Sequence, residues 1–239
     1  MDFFSPLWFS RQLLAALNTE LWFHYQERVP RTGSIVVVSN HRSFMDAPLL
    51  MAALNQSMRF ACHHYMGQVP IMKDIVTQLG CFPLDTPEQR RQSFFTQAIR
   101  LLHDRQVVGI FPEGAEPMVA LTQPENVGTF HRGFAHLALR APIADLTLLP
   151  VAIASQKETI NSAIPLSLLS VIDPSEPLFQ QSGWHPMVVY ERVNVLIGRP
   201  MGITASQRQS YQGKQAKTVI ADLTEYCHTE IKDLLQKSY

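Results

Sequence analysis

A histidine and an aspartate five residues apart carry the strongest chemical signal in this sequence. His41 and Asp46 lie in "SNHRSFMD", which begins as the apolar run of residues 35–38 ends. On one continuous helix the two side chains would point about 140° apart, because each residue turns the helix by about 100°. If His41 lies in a turn after a strand and Asp46 begins the next helix, the carboxylate can bind the imidazole. The second ring nitrogen then serves as a general base.

The sequence supplies no obvious nucleophile to accompany this pair. It contains no G-x-S-x-G segment, and Cys62, Cys81 and Cys227 lack the local signature of a catalytic thiol. A His–Asp pair without a nucleophile suits deprotonation of a bound hydroxyl, which then attacks an activated acyl group. A helix-capping aspartate beside a structural histidine has the same spacing, so the pair alone leaves both interpretations open.

A second polar cluster follows another apolar run. Residues 111–114 read "FPEG" directly after "VVGI". Glu113 is suited either to binding an acceptor hydroxyl or to organising a Pro–Gly turn. Gly114 permits unusual backbone geometry or close approach to a ligand. Functional residues of α/β sheets gather in the loops that follow the strands, so we expect the two clusters to form one site.

Alternating strand and helix patterns predict an α/β fold with a central mixed sheet flanked by helices and an N-terminal amphipathic helical arm. With 239 residues, of which 46% are apolar, the chain fits one catalytic domain. We place that domain at residues 31–239 and the arm at residues 1–30. The clearest helical patterns cover residues 47–54, 71–79, 87–103 and 216–237. A Pro-punctuated connection is expected over residues 164–186.

The N-terminal arm is rich in apolar and aromatic residues. Residues 3–25 contain two charged side chains, Arg11 and Glu20, with Trp8 and Trp22 near the two ends. Such a segment suits a helix lying in a membrane interface and equally a helix packed on the core or on a second subunit. The sequence contains no uninterrupted run of 18 apolar residues, so no membrane-spanning helix is predicted.

The charge balance and the cysteines limit the possible partners and compartment. Lys and Arg number 20, as do Asp and Glu, which gives no basic surplus for nucleic acid. An odd set of three cysteines without a C-x-x-C pair, and no visible signal peptide, favour a reducing, cytoplasmic environment. His63 and His64 lack a third ligand at metal spacing, so no metal site is predicted.

Four sequence blocks together resemble the glycerophospholipid acyltransferase family. Residues 40–46 match its N-H-x-S-x-x-D block, and residues 111–114 match F-P-E-G. Residues 130–133, "FHRG", resemble its F-basic-basic-G block, and residues 149–153, "LPVAI", resemble V-P-V-A-I. The blocks occur in the family's order over residues 35–155.

The resemblance implies O-acyl transfer from a thioester of acyl carrier protein or coenzyme A to the hydroxyl of a lipid acceptor. His41 would be the base and Asp46 its partner, with backbone amides near the Glu113–Gly114 turn stabilising the oxyanion. No cofactor or metal is expected, and the enzyme would work peripherally on a membrane surface. Substrate-binding residues carried over from the blocks are Asn40, Ser43, Glu113, Gly114, Arg132 and Pro150.

Two departures from the family pattern bear on the acceptor. Thr86 and Glu116 stand where the family has phosphate-binding arginines, and a carboxylate repels phosphate, whereas arginine binds it in a planar fork. Arg132, Arg90 and Arg91 are the candidates to compensate. The acceptor is therefore either 1-acylglycerol-3-phosphate or a lipid alcohol without an exposed phosphate. A non-catalytic lipid-binding protein and a thioester hydrolase remain alternatives on the same fold.

Overall fold

An eight-stranded mixed sheet lies at the centre of the computed structural model, which describes residues 5–62, 77–83, 90–114, 116–119, 122–165, 180 and 184–238. The strands are β1 (Glu20–His24), β2 (Ser34–Ser39), β3 (Met58–Cys62), β4 (Cys81–Pro83), β5 (Val107–Ile110), β6 (Leu146–Pro165), β7 (Trp184–Ile197) and β8 (Met201–Gly202). Their order is β1-β7-β6-β2-β5-β3-β4, with β8 paired to β6. Pairs are parallel except β6 with β7 and with β8.

Helices cover both faces of the sheet. They are α1 (Pro6–Ala16), α2 (Asp46–Leu54), α3 (Arg90–His103), α4 (Glu116–Val119), α5 (Gly133–Arg140), α6 (Ala205–Gln212) and α7 (Ala216–Ser238). One buried cluster joins the sheet to α3, α5 and α7, and a second joins it to α1 and α2. The predicted α/β class with a mixed sheet is confirmed. Part of the helix predicted over residues 71–79 lies outside the described residues.

The centre of the sheet explains why polar motifs follow apolar runs. Every residue of β2 is buried, as expected for a parallel strand covered on both faces. β2 lies between β5 and β6 and is parallel to both. The carboxyl ends of these strands therefore share one edge of the sheet, and the loops after β2 and β5 meet there.

A long antiparallel hairpin passes beyond this edge. β6 and β7 pair from Val151 opposite Ile197 to Pro165 opposite Trp184, with register shifts between Ser155 and Glu158. β6 thus continues to Pro165, and β7 begins at Trp184, within the stretch expected to be a connection. The polar composition of residues 156–161 obscured the strand because this part of β6 is largely exposed.

The N-terminal segment is a helix followed by an edge strand. α1 packs on α2 through the buried side chains of Leu14 and Ser10, so the predicted helix is present. The chain then leaves the helical conformation, and β1 pairs in parallel with β7. The prediction that the whole arm is helical is wrong for β1, whose alternating Leu21 and Phe23 contact the core. No helix in the described part of the chain is long and apolar enough to cross a membrane.

We expect Gly109→Ala to lower the free energy of unfolding by about 1–3 kcal/mol, the usual range for overpacking a core. Gly109 pairs with Phe60 across β5 and β3, and an added methyl group would collide with the Phe60 ring. Denaturant titration measures the change. Gly202→Ala is the matched control because open space surrounds its Cβ position. Equal stability of the two variants would contradict this packing.

Candidate active site

The turn between β2 and α2 brings His41 and Asp46 together. Asp46 is the first residue of α2, and its amide donates to the carbonyl of Ser43 at 3.1 Å. The chain thereby folds the carboxylate back onto the imidazole, with 2.8 Å between Asp46 Oδ2 and His41 Nδ1. The five-residue spacing produces this contact because a turn, and not a helix, separates the two residues.

The Asp46 carboxylate is completely buried and surrounded by donors. Its Oδ2 also accepts the backbone amides of Arg42 at 2.7 Å and Ser43 at 2.9 Å. Its Oδ1 accepts the hydroxyl of Tyr190 at 2.9 Å. Backbone amides only donate, so an ionised carboxylate fits this set. Its remaining partner, His41 Nδ1, then carries the ring proton, which leaves Nε2 as the basic nitrogen.

Aromatic packing holds the imidazole from the other side. The His41 ring stacks on Phe111 with 4.0 Å between centroids and 10° between planes. Phe111 in turn stacks on Phe60 at 5.4 Å. The His41 side chain keeps 16% of its surface exposed, so the ring is fixed and still accessible to a substrate.

Glu113 fixes the backbone of the turn at residues 40–46, called the catalytic turn below after the role predicted for His41. Its Oε1 accepts the amide of His41 at 3.0 Å, and its Oε2 accepts the amide of Gly128 at 2.5 Å. Burial raises the pKa of Glu113 while these two amides oppose the increase. Of the two roles considered for Glu113, the contacts support the organisation of the turn. A side chain at position 128 would crowd this carboxylate, since an added Cβ would lie 2.9 Å from Oε2.

Gly114 is used for its backbone conformation. Its φ of 72° lies in the left-handed region, and its amide donates to the carbonyl of Phe111 at 3.1 Å. The oxyanion role predicted for the amides of this turn therefore does not suit Gly114. His131 lies beside Gly114, and its own amide donates to the carbonyl of Pro112 at 2.8 Å.

Three of the residues predicted to bind substrate make backbone contacts. The Asn40 amide group donates to and accepts from the backbone of Ile153 at 2.9 and 2.8 Å. Ser43 Oγ donates to the carbonyl of Val188 at 2.6 Å. Pro150 is buried in β6, and its carbonyl accepts the amide of Gly198 at 2.8 Å. These contacts join the site to β6 and β7, and substrate binding by these residues stays a prediction.

A buried ion pair anchors the same turn to the hairpin. The Arg42 guanidinium bonds both carboxylate oxygens of Glu158, at 2.7 and 2.9 Å, and the carbonyl of Thr122 at 2.7 Å. Burial opposes the charge of Arg42, but the hydrogen bonds and charge of Glu158 raise the pKa of the guanidinium above its ordinary value. Arg42 is thus a structural cation and not a free ligand for phosphate.

Comparison with known proteins decides the family. The profile of the family described as Acyltransferase matches residues 20–154, more than half of the chain. This chain belongs to the acyltransferase family. A solved structure, the 1-acyl-sn-glycerophosphate (LPA) acyltransferase PlsC from Thermotoga maritima, matches with a TM-score of 0.63 over 97% of this chain and 77% of that chain, at 17% identity. That similarity shows a common fold. The comparison with curated proteins gave no match.

In this acyltransferase the structure describes only some of the residues expected to recognise the charge of the acceptor. Arg132 is exposed immediately before α5, and Glu116 is exposed at the start of α4. Thr86 and the side chains of Arg90 and Arg91 lie outside the described residues. Within the described ranges, no group of three or more His, Cys, Asp or Glu side chains is arranged to hold a metal ion.

Sequence reasoning missed two side chains that contact the catalytic turn. Glu158 lies 116 residues from its partner Arg42, and Tyr190 lies 144 residues from its partner Asp46. Neither belongs to a recognisable block. The alternating pattern of residues 186–197 was a signal for β7. It could not indicate which face of that strand would meet Asp46.

We expect Glu158→Gln to lower the free energy of unfolding by about 3 kcal/mol, because it leaves the buried Arg42 charge unpaired. Glu191→Gln on the same hairpin is the matched control, since the Lys157–Glu191 pair is exposed and should change stability little. Denaturant titration of both variants tests the difference. Two equal, small losses would contradict the anchoring role of the Arg42–Glu158 pair.

Proposed function

We propose that this acyltransferase moves a fatty acyl group from an acyl thioester to the hydroxyl of a lysophospholipid- or glycerolipid-type acceptor. The observation that carries the proposal is the contact of the accessible His41 ring with the buried Asp46 carboxylate, with Nδ1 bound and Nε2 left as the base. The motif blocks and the acyl transfer named for the Thermotoga maritima protein of the same fold support it. The donor is a thioester of acyl carrier protein or coenzyme A.

The proposed reaction needs no nucleophile from the protein. His41 Nε2 takes the proton of the acceptor hydroxyl while the hydroxyl oxygen attacks the thioester carbonyl carbon. The imidazolium that forms is stabilised by Asp46. Collapse of the tetrahedral intermediate breaks the carbon–sulfur bond, and the thiolate takes the proton back from His41. Ester and free thiol are the products, and His41 returns to its starting state.

The charges around the site favour an acceptor without an exposed phosphate. Glu116 replaces an arginine of the family pattern and is exposed, and Arg42 is already neutralised by Glu158. Arg132 is the exposed cation contributed by the recognised blocks. A glyceride, another lipid alcohol or a lysolipid with a masked phosphate fits this arrangement better than lysophosphatidate does.

Such acceptors are membrane lipids, and the exposed aromatic side chains of Trp22, Tyr25 and Phe44 are suited to peripheral contact with a bilayer. Loss of co-sedimentation with phospholipid vesicles after Trp22→Ser would support contact through β1, and unchanged co-sedimentation would argue against it.

We expect purified protein to form ester from acyl-CoA or acyl carrier protein thioester and a lipid alcohol in vesicles. His41→Gln should reduce the rate by about 100-fold or more, the usual contribution of a general base. Chromatography of labelled products measures ester and free acid together. His136→Gln is the control, because His136 bonds Tyr211 outside the catalytic turn. Free acid without ester would favour a hydrolase, and neither product would favour a lipid-binding protein.

Glu116→Arg should shift acceptor preference towards lysophosphatidate. The change replaces a repelling carboxylate with a phosphate-binding fork, so we expect kcat/KM for lysophosphatidate to rise about tenfold relative to a neutral monoacylglycerol. Glu116→Gln should give a smaller rise, because it removes repulsion without adding a ligand. A wild-type enzyme that already prefers lysophosphatidate would contradict the charge argument.

A further inference from the structure

We propose that Tyr190 is a positioning residue for catalysis, holding Asp46 Oδ1 so that the carboxylate keeps His41 in its reactive orientation. This inference rests on the proposed function, because it assigns a role within the same proton transfer. Tyr190 lies on β7, outside every block that marks the family, and it is completely buried beside Asp46.

The distribution of donors around Asp46 is uneven. Oδ2 accepts three hydrogen bonds, from the His41 ring and the amides of Arg42 and Ser43. For Oδ1, the described residues supply the Tyr190 hydroxyl alone, at 2.9 Å. The three donors on Oδ2 oppose rotation about the Cβ–Cγ bond from one side of the carboxylate, and the Tyr190 hydroxyl opposes it from the other oxygen. Tyr190 therefore completes the restraint on the plane in which Asp46 meets the imidazole.

The hydroxyl of Tyr190 also remains a donor throughout the working pH range. Burial raises the pKa of Tyr190 well above its ordinary value, and the neighbouring charge of Asp46 raises it further. The group therefore stabilises the Asp46 charge without competing for the proton that His41 transfers. A donor that withdraws charge from Asp46 weakens its hold on the imidazolium, so the hydroxyl tunes the base as well as orienting it.

The hairpin register makes Tyr190 part of a two-residue unit. Tyr190 is the cross-strand partner of Glu158, and cross-strand partners project from the same face of a sheet. Glu158 binds the Arg42 side chain, while Tyr190 binds Asp46. One cross-strand pair thus contacts the turn on both sides of Ser43. The Tyr190 amide adds a contact to Met45 Sδ at 3.2 Å.

Tyr190→Phe tests this role because it keeps the ring and removes the hydroxyl. We expect kcat for ester formation to fall about tenfold to 100-fold, the range for losing a hydrogen bond to a charged group, with little change in KM. The acidic limb of the pH–rate profile should move to higher pH, because an Asp46 without this donor binds the imidazolium more strongly. Tyr226→Phe is the matched control, since its hydroxyl bonds the carbonyl of Arg199 away from the site.

A second readout separates this proposal from the proposed function. NMR of ¹⁵N-labelled histidine should show the His41 ring titrating at higher pH in Tyr190→Phe than in the unchanged protein, with or without ester formation. A shift in an enzyme that makes no ester would support the positioning role and overturn the proposed reaction. A variant with reduced stability but an unchanged pH–rate profile and an unchanged His41 titration would overturn the positioning role and leave the reaction standing.

Discussion

The buried carboxylate of Asp46 is the constraint on which the whole site depends. A charged oxygen pair removed from water must be met by donors, and here four groups meet it: an imidazole, two backbone amides and a tyrosine hydroxyl. Placing these donors around the carboxylate requires one conformation of the turn that follows β2. The same turn exposes the edge of His41. The need to satisfy the buried Asp46 is thus the physical reason that the His41 imidazole has a single orientation.

The sheet supplies the rest of the arrangement through strand direction. β2, β5 and β6 are parallel neighbours, so the turn that carries His41 lies next to the turn that carries Glu113. β6 then continues past the edge and returns as β7, which places Glu158 and Tyr190 over the catalytic turn. The long hairpin is therefore part of the active-site scaffold. Its Glu158 and Tyr190 side chains bind Arg42 and Asp46 of that turn.

The local part of this arrangement could be predicted from sequence, and the distant part could not. His41 and Asp46 lie within one strand–turn–helix unit, so residue spacing and strand pattern were sufficient to bring them together. Asn40 was assigned to substrate by resemblance, yet its amide group bonds the backbone of Ile153, 113 residues away. Tyr190 depends on irregular strand pairing between Ser155 and Glu158, because each register shift changes which side chains face the site. Such shifts leave no periodic signal in sequence.

In the proposed reaction the acyl group passes directly from thioester to acceptor hydroxyl, with His41 as base and no covalent acyl-enzyme. Intact-mass spectrometry of the protein during a single turnover tests this most directly. The protein is mixed with acyl-CoA or acyl carrier protein thioester in vesicles, with and without the lipid alcohol. We expect unmodified protein at every time point, and ester only when the acceptor is present. A protein species heavier by one acyl group, formed without acceptor and consumed when acceptor is added, would contradict it.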